Sequence, residues 1–86
     1  LKSVAAHQNE VLSVDWNPAN GLQFATGSTD QLVKTWDWRN LASGPITELR
    51  GHRRAVRRVR WSTAEPGVVL SVGYDMSLRV WRGDGT

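Results

Sequence analysis

The chain has 86 residues, a formal net charge of +3 and no cysteine, which excludes disulfides and thiolate metal sites. No apolar run approaches the roughly 20 residues of a membrane-spanning helix, and the N-terminus lacks the charged and apolar regions of a secretory signal. The basic character is local: six of the eleven Lys and Arg residues are Arg50, Arg53, Arg54, Arg57, Arg58 and Arg60.

In chain order, short runs rich in Val, Leu, Trp and Thr alternate with Gly, Asn, Pro, Ser and Asp clusters, the pattern of brief strands joined by turns. Strands are predicted over Leu1 to Ala5, Val11 to Asn17, Gln23 to Ser28, Leu32 to Asp37 and Ile46 to Leu49, then Val56 to Ser62, Val68 to Gly73 and Ser77 to Arg82. Asn17-Pro18-Ala19-Asn20-Gly21 and Thr63-Ala64-Glu65-Pro66-Gly67 read as turn-rich connections, and Ser43-Gly44-Pro45 as a break before an outer strand. No amphipathic helix is predicted.

The elements repeat. A shift of 45 residues, the distance from His7 to His52, also lays Val11 on Val56, Val14 on Val59, Trp16 on Trp61, Asp30 on Asp75, Lys34 on Arg79 and Trp36 on Trp81. Four of the five tryptophans are paired in this way; Trp38, whose mate is Gly83, is the exception and is expected to be an outer-strand packing residue, with a partner contact as the alternative. Periods of this size belong to arrays in which each unit buries its apolar face against a neighbour, and at least three units are usually needed. Two repeats beginning at Leu1 are therefore expected to be a fragment or part of a larger assembly, completed by further blades or by copies of the same chain.

Phe24-Ala25-Thr26-Gly27-Ser28-Thr29-Asp30, Val33-Lys34-Thr35-Trp36-Asp37 and Gly51-His52 resemble the WD-repeat family over essentially the whole chain. The resemblance implies an all-β propeller fragment of about two four-stranded antiparallel blades. In one array over 1–86, residues 1–6 would be the outer strand of a preceding blade, 7–51 the first repeat and 52–86 a second repeat lacking its outer strand. It also implies a hydrogen-bonded chain in each blade: His7, Thr26, Asp30 and Trp36, then His52, Ser71, Asp75 and Trp81. The second repeat departs from the pattern by ending Trp81-Arg82 where an acidic residue is usual and by placing Tyr74 before Asp75; Asp37 is accordingly expected to cap the surface.

A hydroxyl, an imidazole and a carboxylate in one blade suggest a nucleophilic triad, but a triad has no reason to occur twice at one spacing. There are no phosphate-cradling glycine loops and no metal-ligand spacings. Binding without a cofactor or a metal is the expectation, and catalysis is not.

Local phrases narrow the resemblance. His7 to Trp16, Trp36-Asp37-Trp38-Arg39-Asn40, Glu48 to His52, Ala55-Val56-Arg57-Arg58-Val59 and Tyr74 to Trp81 are similar to the peroxin-7 family of receptors for type 2 peroxisomal matrix targeting signals. That similarity implies a cytoplasmic protein cycling to the peroxisome, with a helical signal peptide and a peroxin co-receptor as partners. Ala25-Thr26-Gly27-Ser28 with Trp36-Asp37 and Arg39-Asn40 also fits the histone-binding branch of WD-repeat proteins. Partners of such propellers meet the rim, which maps here to Glu10, Leu12, Thr29, Ala55, Arg57 and Tyr74. The arginine cluster suggests a polyanion surface through counterion release, yet it has no interleaved aromatic run on which bases would stack, so nucleic acid is not the expected partner. Arg58 and Arg60 alternate with Val59 and Trp61, as residues facing an adjacent blade and its acidic groups would.

Overall fold

The computed structural model describes residue 3 and residues 5–82. Strands β1 (Val11–Trp16), β2 (Gln23–Ser28), β3 (Leu32–Asp37) and β4 (Thr47–Arg50) form one antiparallel sheet in that order, and β5 (Val56–Trp61), β6 (Val68–Gly73) and β7 (Leu78–Arg82) form a second. These are two successive propeller blades, the second seen with three strands. The strand predicted over Leu1 to Ala5 lies outside the described residues except at Ser3 and Ala5, neither of which is in a strand.

Strand ends follow local hydrogen bonds and differ from the sequence expectation by one residue in four strands. Asn17 leaves β1 because its side-chain oxygen accepts from the Ala19 N–H at 2.9 Å. Ser62 leaves β5 because its hydroxyl accepts from the Ala64 and Glu65 N–H groups. Ser77 precedes β7 because it is held by Asp75, and β4 runs from Thr47 to Arg50. The connection after β3 holds an element the sequence did not reveal, a 3-10 segment over Trp38–Ser43 interrupted at Asn40. Asp37 caps it by accepting from the Arg39 N–H, and Gly44 ends it at a φ of 86°. Trp38 therefore sits in this segment and not in the outer strand, and it is partly exposed.

The sheets stack through equivalent inner strands. Ser13 Oγ accepts from the Val59 N–H at 3.1 Å, the Asp15 carboxylate from the Trp61 N–H at 2.8 Å, and the Asp15 carbonyl from the Trp61 indole at 3.0 Å. Both steps advance in the same chain direction, so β1 and β5 lie side by side and parallel. Alternation along a strand sends Val59 and Trp61 to this interface and leaves Arg58 and Arg60 on the far face, exposed. The expected pairing of Arg58 and Arg60 with acidic groups of an adjacent blade does not form among the described residues, because the Asp15 carboxylate goes to the Trp61 backbone.

Ala25, Val33 and Leu49 of the first sheet meet Val56, Val59, Trp61, Val69 and Trp81 of the second in one core. The outer faces of the pair are open. Trp61 is 7% exposed at the junction, whereas its repeat-mate Trp16 is 53% exposed against Phe24 at 5.3 Å. Trp16 has the position of Trp61, but among the described residues no sheet covers it.

Gly27 sets how closely the sheets approach: a Cβ there would lie 2.7 Å from Val56 Cγ1 and 3.0 Å from Val59 Cγ1. Both valines are buried, so neither side chain has room to retreat. Gly27→Ala is expected to destabilise the fold by about 1–3 kcal/mol through overpacking, read from the urea midpoint; an unchanged midpoint would show that the junction yields.

Candidate partner-binding rim and the buried relay beneath it

Each blade is crossed by a relay of side-chain hydrogen bonds. In the first, the Trp36 indole donates to Thr26 Oγ1 at 3.0 Å, Thr26 Oγ1 lies 2.7 Å from His7 Nε2, and His7 Nδ1 lies 2.8 Å from the Asp30 carboxylate. The carboxylate needs a donor, so the proton sits on Nδ1, Nε2 accepts, and the threonine hydroxyl donates to it. Every bond then points from indole to carboxylate. In the second blade Trp81 donates to Ser71 Oγ at 2.8 Å, Ser71 is 2.7 Å from His52 Nε2, and His52 Nδ1 is 3.2 Å from Asp75.

The connectivity hydroxyl to Nε2 and Nδ1 to carboxylate is that of a nucleophilic triad, and the packing decides against that use. Ser71 is 1% exposed and its oxygen already accepts from an indole, so no substrate carbonyl reaches it. Thr26 is buried in the same way.

The carboxylates anchor turns as well as the relay. Asp30 accepts from the Leu32 N–H at 3.0 Å. Burial pushes its pKa up, but the Leu32 N–H, His7 and Ser28 outweigh that and hold it below the usual value. Asp75 accepts from the Ser77 hydroxyl at 2.6 Å, the Arg53 N–H at 2.9 Å and the Ser77 N–H at 3.1 Å. The Ser77 hydroxyl first, then the Arg53 N–H, place its pKa well below the ordinary carboxylate range against the opposing effect of burial. On the opposite edge, Asp37 is brought down to about 2 by the Arg39 side chain and N–H.

The relay fixes the backbone that carries the rim. Thr29 N–H donates to the Glu10 carbonyl at 3.0 Å, and Tyr74 N–H donates to the Ala55 carbonyl at 3.0 Å, so Glu10 and Thr29 are neighbours, as are Ala55 and Tyr74. Pairing of β1 with β2 slips between Val11 and Ser13, and pairing of β5 with β6 slips between Val56 and Arg58. Leu12 and Arg57 are thus the extra residues of two equivalent bulges, a device that re-aims a side chain and is common beside functional sites. Glu10, Leu12, Arg57 and Tyr74 are exposed and Thr29 and Ala55 half-buried. The six rim residues form two equivalent groups of three on one edge of the adjacent sheets.

Two rim residues went unnoticed in the sequence. Gln31 and Met76 occupy equivalent turn positions and both adopt left-handed backbone, at φ 75° and 65°. The sequence offered only their equivalent places after the turn aspartates Asp30 and Asp75; the left-handed angle itself is visible in the structure alone.

Among the described residues no cluster of three or more His, Cys, Asp or Glu side chains could hold a metal ion, and no helix is long and apolar enough to cross a membrane. Stacked antiparallel blades with an internal relay and an exposed edge define a repeat protein of the propeller class. The WD domain, G-beta repeat description (WD40) matches residues 1–37 and 43–82, and the chain belongs to that family, whose members mediate protein–protein interactions and are typically non-enzymatic. Relatives include coronin-2A of Bos taurus, 37% identical over 86 residues, covering 94% of this chain and 16% of that protein. The ribosome biogenesis protein WDR12 homolog of Culex quinquefasciatus is 41% identical over 76 residues, covering 88% and 17%. The GATOR2 complex protein MIOS of Dictyostelium discoideum is 35% identical over 81 residues, covering 93% and 7%. The chain spans less than a fifth of each of these relatives. None of the three is a peroxisomal receptor, so the comparisons support the family and leave the narrower resemblance resting on local phrases alone.

Ser71→Ala strands the Trp81 indole N–H and His52 Nε2 in the interior, and we expect a loss of about 1–3 kcal/mol in urea unfolding; a loss within error would show that the relay is ornamental. The lowered folded pKa of Asp75 means that its stabilisation is complete above the unfolded-carboxylate value of about 3.9 and is lost as pH falls below that toward the folded value. Acid unfolding followed by circular dichroism should therefore begin below pH about 4, and Asp75→Asn should flatten that limb of the stability curve.

Proposed function

We propose that the chain supplies two blades of a protein-binding scaffold and that the partner docks on the edge formed by Glu10, Leu12, Thr29, Ala55, Arg57 and Tyr74. The observation that carries this reading is the pair of equivalent bulges, which removes Leu12 and Arg57 from strand pairing on the edge where Tyr74 is 58% exposed. Aromatic and Arg side chains are the usual anchors of an interface. The polar groups that could have supported chemistry are consumed internally.

A narrower form of the proposal is that the partner is a type 2 peroxisomal targeting peptide together with a peroxin co-receptor, the protein working in the cytoplasm and cycling to the peroxisome. It is supported by the phrases quoted above, Ala55-Val56-Arg57-Arg58-Val59 and Tyr74 to Trp81 in particular. Histone binding is the alternative within the same family.

The test is photocrosslinking in the full-length protein, with p-benzoylphenylalanine placed at Leu12 or Tyr74 on the rim and at Ser43 or Ser62 on the opposite edge. Rim positions should yield the adducts; equal yields from both edges would overturn rim docking. Adding a type 2 signal peptide or a histone peptide as competitor distinguishes the narrower readings, and failure of the signal peptide to suppress the rim adduct would remove the peroxisomal one.

A further inference from the structure

The two rims differ in charge although the backbone beneath them is equivalent. Gln8, Asn9, Glu10 and Leu12 on the first blade correspond to Arg53, Arg54, Ala55 and Arg57 on the second. The first set carries one negative charge and the second three positive ones. Arg53, Arg54 and Arg57 are exposed, and no carboxylate among the described residues pairs with their guanidinium groups. The acid nearest in the chain fold, Asp75, is spent on His52, Ser77 and the Arg53 backbone N–H. Self-repulsion of three unpaired cations opposes folding, so an external counter-charge offers a gain that the chain itself does not supply.

Apolar surface accompanies the charge. Tyr74 replaces Thr29, and Met76 replaces Gln31. Met76 is 97% exposed in left-handed backbone at φ 65°, where a glycine would sit without steric cost. A large apolar side chain that is neither buried nor conformationally favoured contributes little to this fold. The left-handed angle belongs to the turn, since Gln31 shares it at φ 75°, but methionine in place of the polar residue suits an adaptable contact surface.

Taken with the rim reading, on which it rests, we propose that the edge of the second blade, formed by Arg53, Arg54, Arg57, Tyr74 and Met76, binds an acidic peptide segment bearing an apolar or aromatic anchor. The guanidinium groups take the carboxylates, forked donors matched to that geometry. Tyr74 and Met76 take the anchor. A peptide fits better than a nucleic acid, because the exposed aromatic group here is a single tyrosine and offers no platform for successive bases. Of the other basic residues of the cluster, Arg58 and Arg60 lie on the sheet face and Arg50 is paired with Glu48.

Fluorescence anisotropy of the full-length protein with labelled short peptides tests the assignment, using a Glu-rich sequence with one Phe, its Glu-to-Gln counterpart, its Phe-to-Ala counterpart and a single-stranded oligonucleotide of equal charge. The acidic peptide with its anchor should bind about tenfold more tightly than either counterpart and than the oligonucleotide, and should weaken as salt is raised. Combined Arg53→Glu, Arg54→Glu and Arg57→Glu should lower its affinity by about tenfold or more, while Arg39→Glu with Arg82→Glu on the opposite edge should not. Met76→Gly should raise the urea midpoint and weaken peptide binding at once, a combination that a purely structural role does not produce. Oligonucleotide binding as tight as that of the peptide, or equal losses in the opposite-edge variant, would overturn the proposal. Equal binding of the Glu and Gln peptides, both lost on Tyr74→Ala, would overturn the acidic assignment and leave rim docking standing.

Discussion

One buried oxygen in each blade, Thr26 Oγ1 or Ser71 Oγ, governs the rest of the structure. An indole N–H can only donate, and a carboxylate can only accept, so a group between them must do both. The hydroxyl accepts from Trp36 or Trp81 and donates toward His7 or His52, and the imidazole repeats the exchange with Asp30 or Asp75. Four segments distant in sequence are thereby tied: the loop before the inner strand, the second strand, the turn after it and the third strand. A satisfied polar network in a low-dielectric interior specifies one arrangement, since any other strands several groups together. The rim is the outer surface of two of those four segments together with the bulged start of the inner strand that the first of them leads into.

A second constraint operates between blades, where the repeat is chemically unequal. At the junction described, the Asp15 carboxylate accepts from the Trp61 backbone. The equivalent position in the second blade is Arg60, which can only donate, so the same bond cannot recur there. Lys34 and Arg79 show the same inequality. Lys34 donates to the Ala6 carbonyl at 2.9 Å and lies 3.9 Å from Glu48 on the outer strand. Arg79 extends over Gly51, the repeat-mate of Ala6, where a Cβ would stand 3.0 Å from its Nη1, and its Nε is buried without a partner among the described residues. The larger guanidinium is accommodated by loss of a methyl group. Equivalent positions of the two blades therefore make different polar contacts upon a shared apolar pattern.

Much of this was legible in the sequence because it is periodic. A shift that superposes two histidines, two aspartates and four tryptophans identifies residues doing the same work twice, and the strands follow from the runs between them. What escaped was aperiodic or set by a local hydrogen bond. The 3-10 segment depends on Asp37 reaching back to Arg39, in a connection with no periodicity to read. The termini at Asn17, Ser62 and Ser77 are set by side chains that capture nearby groups, which composition marks as turns without fixing the last strand residue. Leu12 and Arg57 were placed on the rim by family resemblance, but the bulges that free them are a matter of register, invisible until partner strands are aligned. Met76 was hidden because its character lies in a backbone angle and in an absence of contacts.

The same logic separates what the repeat must keep from what it leaves open. The relay positions retain their chemistry from one blade to the next, threonine exchanging only with serine, because each must accept or donate in a fixed direction. The rim positions carry no such obligation: main-chain bonds join Glu10 to Thr29 and Ala55 to Tyr74, and on the first blade the Ser28 hydroxyl also donates to the Glu10 carbonyl. A side chain there can change from glutamine to arginine, or from threonine to tyrosine, at little cost to the sheet that supports it. Stability fixed by buried side chains and position fixed by backbone leave the exposed side chains free to define a partner, and for that reason two blades of equal fold present edges of unequal charge.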